Sequence, residues 1–204
     1  MSKRYEISLE IAGPTAMWTR PDTGSAPISA PAPSFSAAKG IFESILLHRR
    51  ETAVVPIKVE ICAPIYYHRY VTNYGGPLRK TQQVESGSSY QLTATVLVNV
   101  CYRLYAEIQD FDRSGNGINH RHAYQDQFFR RLKRGQFFRV PCLGWSEFLP
   151  SYIGEFREST SVVDVSETLP TMLKTVFDKA HDGRVAPTFS RNVKIEKGVL
   201  EYAK

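Results

Sequence analysis

Between residues 91 and 108 the chain sets Leu92, Ala94, Val96, Val98 and Val100 at every second position, and Tyr102 and Leu104 continue the series. A period of two held over seven positions gathers the apolar groups on one face of an extended backbone, whereas a helix would scatter them around its axis. The run therefore reads as β structure with one face on a core. Tyr5-Glu6-Ile7-Ser8-Leu9-Glu10-Ile11 alternates in the same way. Residues 52–66 also read as a strand, with Pro56 marking an edge or a bulge because proline donates nothing to a ladder.

Two helices interrupt these strands. Ser34 is placed to cap a helix whose apolar positions are Phe35, Ala38, Ile41, Phe42, Ile45 and Leu46. Residues 120–134 predict a second, with Tyr124, Phe128, Phe129 and Leu132 as its buried stripe and Gly135 as its stop. Residues 137–148 read as a further strand. Residues 13–33 carry prolines at 14, 21, 27, 31 and 33 and read as a loop. The order strand-helix-strand-strand-helix-strand is the βαββαβ arrangement of ferredoxin-like and RRM-type domains, an α+β class. The polar stretch between Tyr67 and Tyr90, with its Gly75-Gly76-Pro77 turn, is too long for a tight hairpin loop and predicts a basic finger. The tail holds a turn at His181-Asp182-Gly183, a strand over 191–196, a turn at Lys197-Gly198 and then Val199-Leu200, a small β appendage. The chain divides on this reading into residues 1–150, an RNA-binding domain, and residues 151–204, a C-terminal β region.

Charge narrows the function. The 204 residues carry 26 Lys and Arg against 20 Asp and Glu. Residues 151–204 hold eight of each sign, so the net +6 belongs wholly to residues 1–150. The densest part, residues 121–139, has Arg121, Arg130, Arg131, Lys133, Arg134 and Arg139 against Asp126 alone. Such a block suits a polyanion, because each phosphate neutralised releases condensed counterions; a solvated helix face is the alternative. Cys62, Cys101 and Cys142 are odd in number, far apart in the chain and set in apolar stretches, which suits reduced core thiols. No apolar run reaches the ~18 residues of a membrane span. Met1-Ser2-Lys3-Arg4 leads into the first strand with no apolar block of a secretion signal, so a cytoplasmic protein without membrane contact is expected. No Cys-x-x-Cys or His-x-x-x-His pair offers a metal site, and no cofactor is expected.

Four stretches, taken in order, resemble a known family. They are Ser36-Ala37-Ala38-Lys39-Gly40-Ile41-Phe42-Glu43-Ser44-Ile45, then Leu97-Val98-Asn99-Val100-Cys101-Tyr102 running into Glu107. Phe129-Arg130-Arg131-Leu132-Lys133-Arg134-Gly135-Gln136 follows, with Phe138, Pro141-Cys142-Leu143-Gly144 and Glu147-Phe148. Last come Pro187-Thr188-Phe189 and Lys197-Gly198-Val199-Leu200. The chain resembles CRISPR-associated protein family five, subtype I-C. The resemblance implies a Cascade subunit of RRM-like build that holds the 5′ handle of CRISPR RNA against the backbone subunits. With the large subunit, that complex carries the guide to target DNA. In this subtype the resemblance also implies cutting of the repeat RNA. The ribose 2′-OH attacks the adjacent phosphate without a metal, leaving a 2′,3′-cyclic phosphate and a free 5′-OH. That reaction asks for a base, an acid and a cation at the phosphate.

The sequence departs from the family at those positions. Processing members carry a ring side chain one residue after the Glu-Ser-Ile motif, where this chain has Leu46. Their Lys-His pair falls on Ala123 and Tyr124, with His120-Arg121-His122 just upstream. His122, Tyr124 and Arg121 are therefore the candidate catalytic residues, since histidine exchanges protons near neutrality. Leu46 and Ala123 exchange none and lean towards binding without cutting, so the question of an enzyme stays open. The candidate RNA contacts are Lys39, Arg69, Arg79, Lys80, Arg130, Arg131, Lys133, Arg134, Arg139 and Trp145. Lys39 and Glu43 equally fit an i,i+4 surface pair, and Trp145 fits a core cover as well as a stacking ring. Tyr66, Tyr67, Tyr70 and Tyr74, interleaved with His68 and Arg69, suit base stacking beside phosphates or core packing. The function outside the resemblance is a ferredoxin-like RNA-binding or assembly protein unrelated to CRISPR.

Overall fold

A computed structural model describes residues 4–47, 52–74, 85, 90–110, 119–177 and 184–202. The elements run β1 (Glu6–Ala16), α1 (Phe35–Ile45), β2 (Thr52–Ile61), β3 (Tyr66–Tyr74), β4 (Tyr90–Asp110), α2 (His120–Lys133), β5 (Tyr152–Gly154), β6 (Glu167–Phe177), β7 (Val185–Glu196) and β8 (Val199–Glu201). The described strands form one sheet in the order β5-β1-β4-β2-β8-β7-β6, with β3 paired to β4 off that path. Every pairing of these strands is antiparallel. The described residues are thus α+β, a mostly antiparallel sheet with the helices α1 and α2 packed on it.

The seven-position alternation lies within β4, which lends its outer half to β3 and its inner half to both β1 and β2. Leu104 pairs with Leu9 on one side and Val59 on the other, and all three are fully buried. The β2 ladder slips between Pro56 and Lys58, the bulge that Pro56 predicts. β1 runs on through Pro14 to Ala16, so the loop expected from residue 13 starts later.

Two asparagines adopt left-handed backbone inside strands, Asn99 at φ 55° and Asn192 at φ 51°. Asn99 falls opposite Pro14, between the pairs Gly13–Val100 and Thr15–Val98. Asn192 falls opposite Pro170, between Leu169–Val193 and Thr171–Arg191. Proline offers no N–H to the ladder, so its neighbour is free to leave the extended conformation, and asparagine tolerates that turn better than most residues.

Ser34 caps α1 by accepting a hydrogen bond from the Ala37 N–H at 3.2 Å, and Ala38, Ile41, Phe42 and Ile45 face the core. Tyr124, Phe128 and Leu132 form the buried stripe of α2, with the Phe128 ring 5.8 Å from that of Phe42. The expected Phe129 lies at the rim, 36% exposed. α1 has no basic residue in its last turn. Its terminal carbonyls accept from elsewhere: Ser44 from the Phe138 and Arg139 N–H groups, Ile45 from Arg131 Nε at 2.8 Å, Leu46 from the Tyr124 hydroxyl at 2.7 Å.

That arrangement explains why residues 137–148 are not the strand expected of them. The Phe138 and Arg139 donors are committed to α1, Val140 is 71% exposed, and Gly144 turns at φ 97° where any Cβ would collide with the Met17 carbonyl. The place beside β1 goes to β5 instead. The expected finger starts as a regular hairpin, β3 on β4, and the turn at 75–77 with Arg79 and Lys80 lies outside the described residues. The tail is larger than the appendage expected. β6 and β7 make a hairpin, with the anticipated strand at its end, and β8 stitches it to β2.

Glu10 has no solvent-exposed surface, and its carboxylate is held by Arg157 Nε at 2.5 Å, Thr160 Oγ1 at 2.7 Å and Arg103 Nε at 3.4 Å. Arg103 also donates to the Arg157 and Thr160 carbonyls, which ties residues 157–160 to the sheet. The three cysteines are free thiols, Cys101 buried and Cys62 and Cys142 half-buried. No described helix is long and apolar enough to cross a membrane.

Candidate nucleic-acid interface

The outer face of α2 carries the basic block. Arg130, Lys133 and Arg134 are exposed, and Arg139 follows with its guanidinium 5.7 Å from the exposed Phe138 ring. Arg131 differs from its neighbours, because its Nε donates to the end of α1. A charged donor on a terminal carbonyl contributes about 1.5–3 kcal/mol. Arg131→Ala is expected to lower unfolding free energy by that amount in a urea titration, while Arg130→Ala leaves it within about 0.5 kcal/mol.

The start of α2 gathers groups from three parts of the chain. Asn119 caps the helix by accepting from the His122 N–H at 3.1 Å, and its amide donates to the Tyr5 hydroxyl at 2.5 Å. The His122 ring meets Tyr5 edge-on at 6.2 Å, and its Nδ1 lies 3.3 Å from Asp126 Oδ2. Arg121 pairs with Asp110 at 3.1 Å and lies over the Tyr5 ring at 5.0 Å. His120 Nε2 is shielded from solvent without a hydrogen-bond partner. Half of the His122 side chain faces solvent, so it is open to a substrate.

Tyr124 lies elsewhere. It is wholly buried with its hydroxyl on the Leu46 carbonyl, which removes it from reach of a phosphate in this conformation. That same contact brings Leu46 beside the start of α2, where Ala123 is exposed. Leu46 and Tyr124, two of the three positions at which the family resemblance expects titrating side chains, thus touch although they lie 78 residues apart in the chain.

The remaining candidates are scattered. Lys39 reaches Glu43 at 3.7 Å, the i,i+4 pair its spacing allows. Arg69 and His68 are exposed on β3, as are Tyr66 and Tyr67, while Tyr70 turns inward. Trp145 stacks on Phe148 at 5.6 Å and meets Tyr70 edge-on at 6.3 Å, an aromatic knot at the base of the hairpin that leaves the indole half-buried. Tyr5, Asp110 and Asn119 were not among the sequence candidates. Tyr5 sits on the core side of β1's alternation and reaches His122 only through the register of β1 on β4, which no local pattern encodes.

Two helices packed on each other and on an antiparallel sheet, with one helix face cationic, define a small α+β protein of ordered topology. The family described as CRISPR-associated protein (Cas_Cas5) matches residues 6–200. The chain is 28% identical over 195 residues to the CRISPR pre-crRNA endoribonuclease Cas5d of Thermus thermophilus, covering 91% of this chain and 79% of that protein. Its fold matches the crystal structure of a CRISPR-associated protein with a TM-score of 0.70 at 15% identity, covering 100% of this chain and 95% of the other. It also matches a chain of a CRISPR RNA-guided surveillance complex, with a TM-score of 0.52 at 14% identity over 96% and 91% of the two chains. The chain belongs to the Cas5d family of CRISPR-associated proteins.

Proposed function

We propose that this chain binds the 5′ handle of CRISPR RNA within a type I-C-like Cascade, in contact with its backbone and large subunits and through them with target DNA, and that it cuts the repeat RNA. The observation that carries this reading is the family match from residue 6 to 200, supported by a relative named for pre-crRNA cleavage. The sheet order supports a ferredoxin-like core. With β3 counted as an extension of the hairpin, β5-β1-β4-β2 has the 4-1-3-2 antiparallel order of a βαββαβ unit. On this reading residues 1–150 serve as the RNA-binding unit, completed by β5, and residues 151–204 as a β region. The complex works in the cytoplasm.

In the proposed reaction His122 removes or returns the proton. Asp126 orients its ring, and Arg121 meets the phosphate after leaving Asp110. The 2′-oxygen bonds to phosphorus, the bond to the 5′-oxygen breaks, and that oxygen leaves with a proton from the acid. Arg130, Lys133, Arg134, Arg139, Lys39 and Arg69 supply phosphate contacts. Leu46 and Ala123 favour a second reading, handle binding without cutting.

Labelled repeat RNA with purified protein in EDTA tests both. Salt-dependent binding and a product ending in a 2′,3′-cyclic phosphate are expected. Binding without product establishes the second reading, and absence of binding overturns both. Reversal of Arg130, Lys133 and Arg134 to Glu is expected to weaken binding across RNA sequences and flatten the salt slope by ~0.7 for each phosphate released. Arg131 stays native there so that the fold does.

A further inference from the structure

A hollow of about 350 Å³ opens between the N-terminal end of α1 and the β7–β8 turn of the sheet. Its walls include Phe35, Lys174, Arg191, Lys194, Glu196 and Glu201. Among the described residues none of those five charged side chains forms an ion pair or a side-chain hydrogen bond, although opposite charges line one small space. Groups that would pair readily are held apart, and the fold shows how. Asn192 turns left-handed opposite Pro170 and breaks the regular alternation of β7, so that residues 191 to 194 all reach the same hollow. Strained backbone of this kind costs free energy and persists where the surroundings impose it.

The hollow adjoins a second, of about 290 Å³, with Phe35 and Lys174 on both walls. That one is lined by Ser36, Lys39, Gly40 and Glu43, a single stripe along α1. Together they make a track along the helix. It runs from the hollow towards the C-terminal end of α1, a helix length of ~16 Å.

We infer that the larger hollow seats one base of single-stranded RNA and that it selects a base carrying an amino group. The inference rests on the RNA reading proposed above and names a site within it. The Phe35 ring offers a stacking surface, which every base accepts. Lys174, Arg191 and Lys194 meet the flanking phosphates. Glu196 and Glu201 are acceptors without a donor of their own. A cytosine, adenine or guanine presents an exocyclic amino group to a carboxylate; a uracil has only its N3–H, flanked by two carbonyl oxygens that the carboxylate repels, and binds less well.

A series of repeat RNAs, each with one abasic residue, tests this against the wild type and a Lys174→Ala/Arg191→Ala variant, with melting temperature as the check on folding. One position is expected to cost the wild type about tenfold in affinity and the variant less than threefold. Uracil at that position is expected to cost the wild type about fivefold, a penalty that Glu196→Ala/Glu201→Ala removes. Should the double variants melt early, the single Arg191→Ala and Glu201→Ala changes are read in the same way. Intact RNA binding with no sensitive position, or with a sensitive position that the variants leave unchanged, overturns the site and leaves the RNA reading standing. No RNA binding by the wild type overturns both.

Discussion

Glu10→Ala is expected to lower the unfolding free energy by about 3 kcal/mol, because the fully buried carboxylate accepts charge-assisted hydrogen bonds from two partly exposed arginines. Arg157 and Arg103 both lose their carboxylate, and Thr160 loses the shorter of its two hydroxyl contacts, keeping the Arg157 carbonyl. For a chain of this size the melting temperature should fall by about 10 °C. The effect depends on pH with a definite sign. Burial pushes the Glu10 carboxyl up, but the hydrogen bonds from Thr160 and Arg157 outweigh it and hold the group below the usual carboxylate range. The folded value therefore lies below the unfolded one. The contribution is complete above the unfolded value and drains away as pH falls through the folded one. Urea titrations from neutral pH downward should show the wild type converging on Glu10→Gln in acid. A constant gap between the two at every pH would remove Glu10 as the source of the acid sensitivity.

His122→Ala is expected to slow repeat cleavage by ~10²–10⁴-fold while handle affinity stays within about threefold. The separation of the two effects follows from the placement of the residue. His122 stands at the first turn of α2 with Asp126 and Tyr5 as its neighbours, whereas the exposed Arg130, Lys133 and Arg134 lie two to three turns further along. Single-turnover rates in EDTA measure the first effect and filter binding the second. Asp126→Asn should lower the rate less than the loss of the ring does, since it only loosens the imidazole. Full-rate cleavage by His122→Ala would move the proton transfer to another group, with His120 the next to test.

The elements that were legible in the sequence are those whose signal is local. Ser34 announced α1, Gly135 ended α2, and Pro56 marked its bulge, because a cap, a left-handed turn and a missing donor each act within a few residues. The strand expected over 137–148 failed for a non-local reason. Its apolar residues looked extended, but α1 lacked groups to satisfy its own last carbonyls and drew the Phe138 and Arg139 N–H groups to them. β3 was missed although Tyr66, Tyr67 and Val71 favour strands, since its polar residues outweighed them in a stretch read for charge. The candidate site divides in the same way. The basic face of α2 was visible, but the diversion of Arg131 to Ile45 and of Tyr124 to Leu46 needed the packing of one helix on another.

β4 passes as one backbone from the β3 hairpin to the far end of the sheet, 21 residues or ~70 Å if fully extended. A pull along that strand is resisted by many rungs at once, on both of its flanks, so they must all slip together. β8 is different, joined to β2 through three residues and to β7 through two. A force lifting the C-terminal hairpin loads those rungs one after another, and they part like a zip. The molecule is therefore stiff along one direction and weak across another. Under tension the short rungs of β8 are expected to part before those of the long strand.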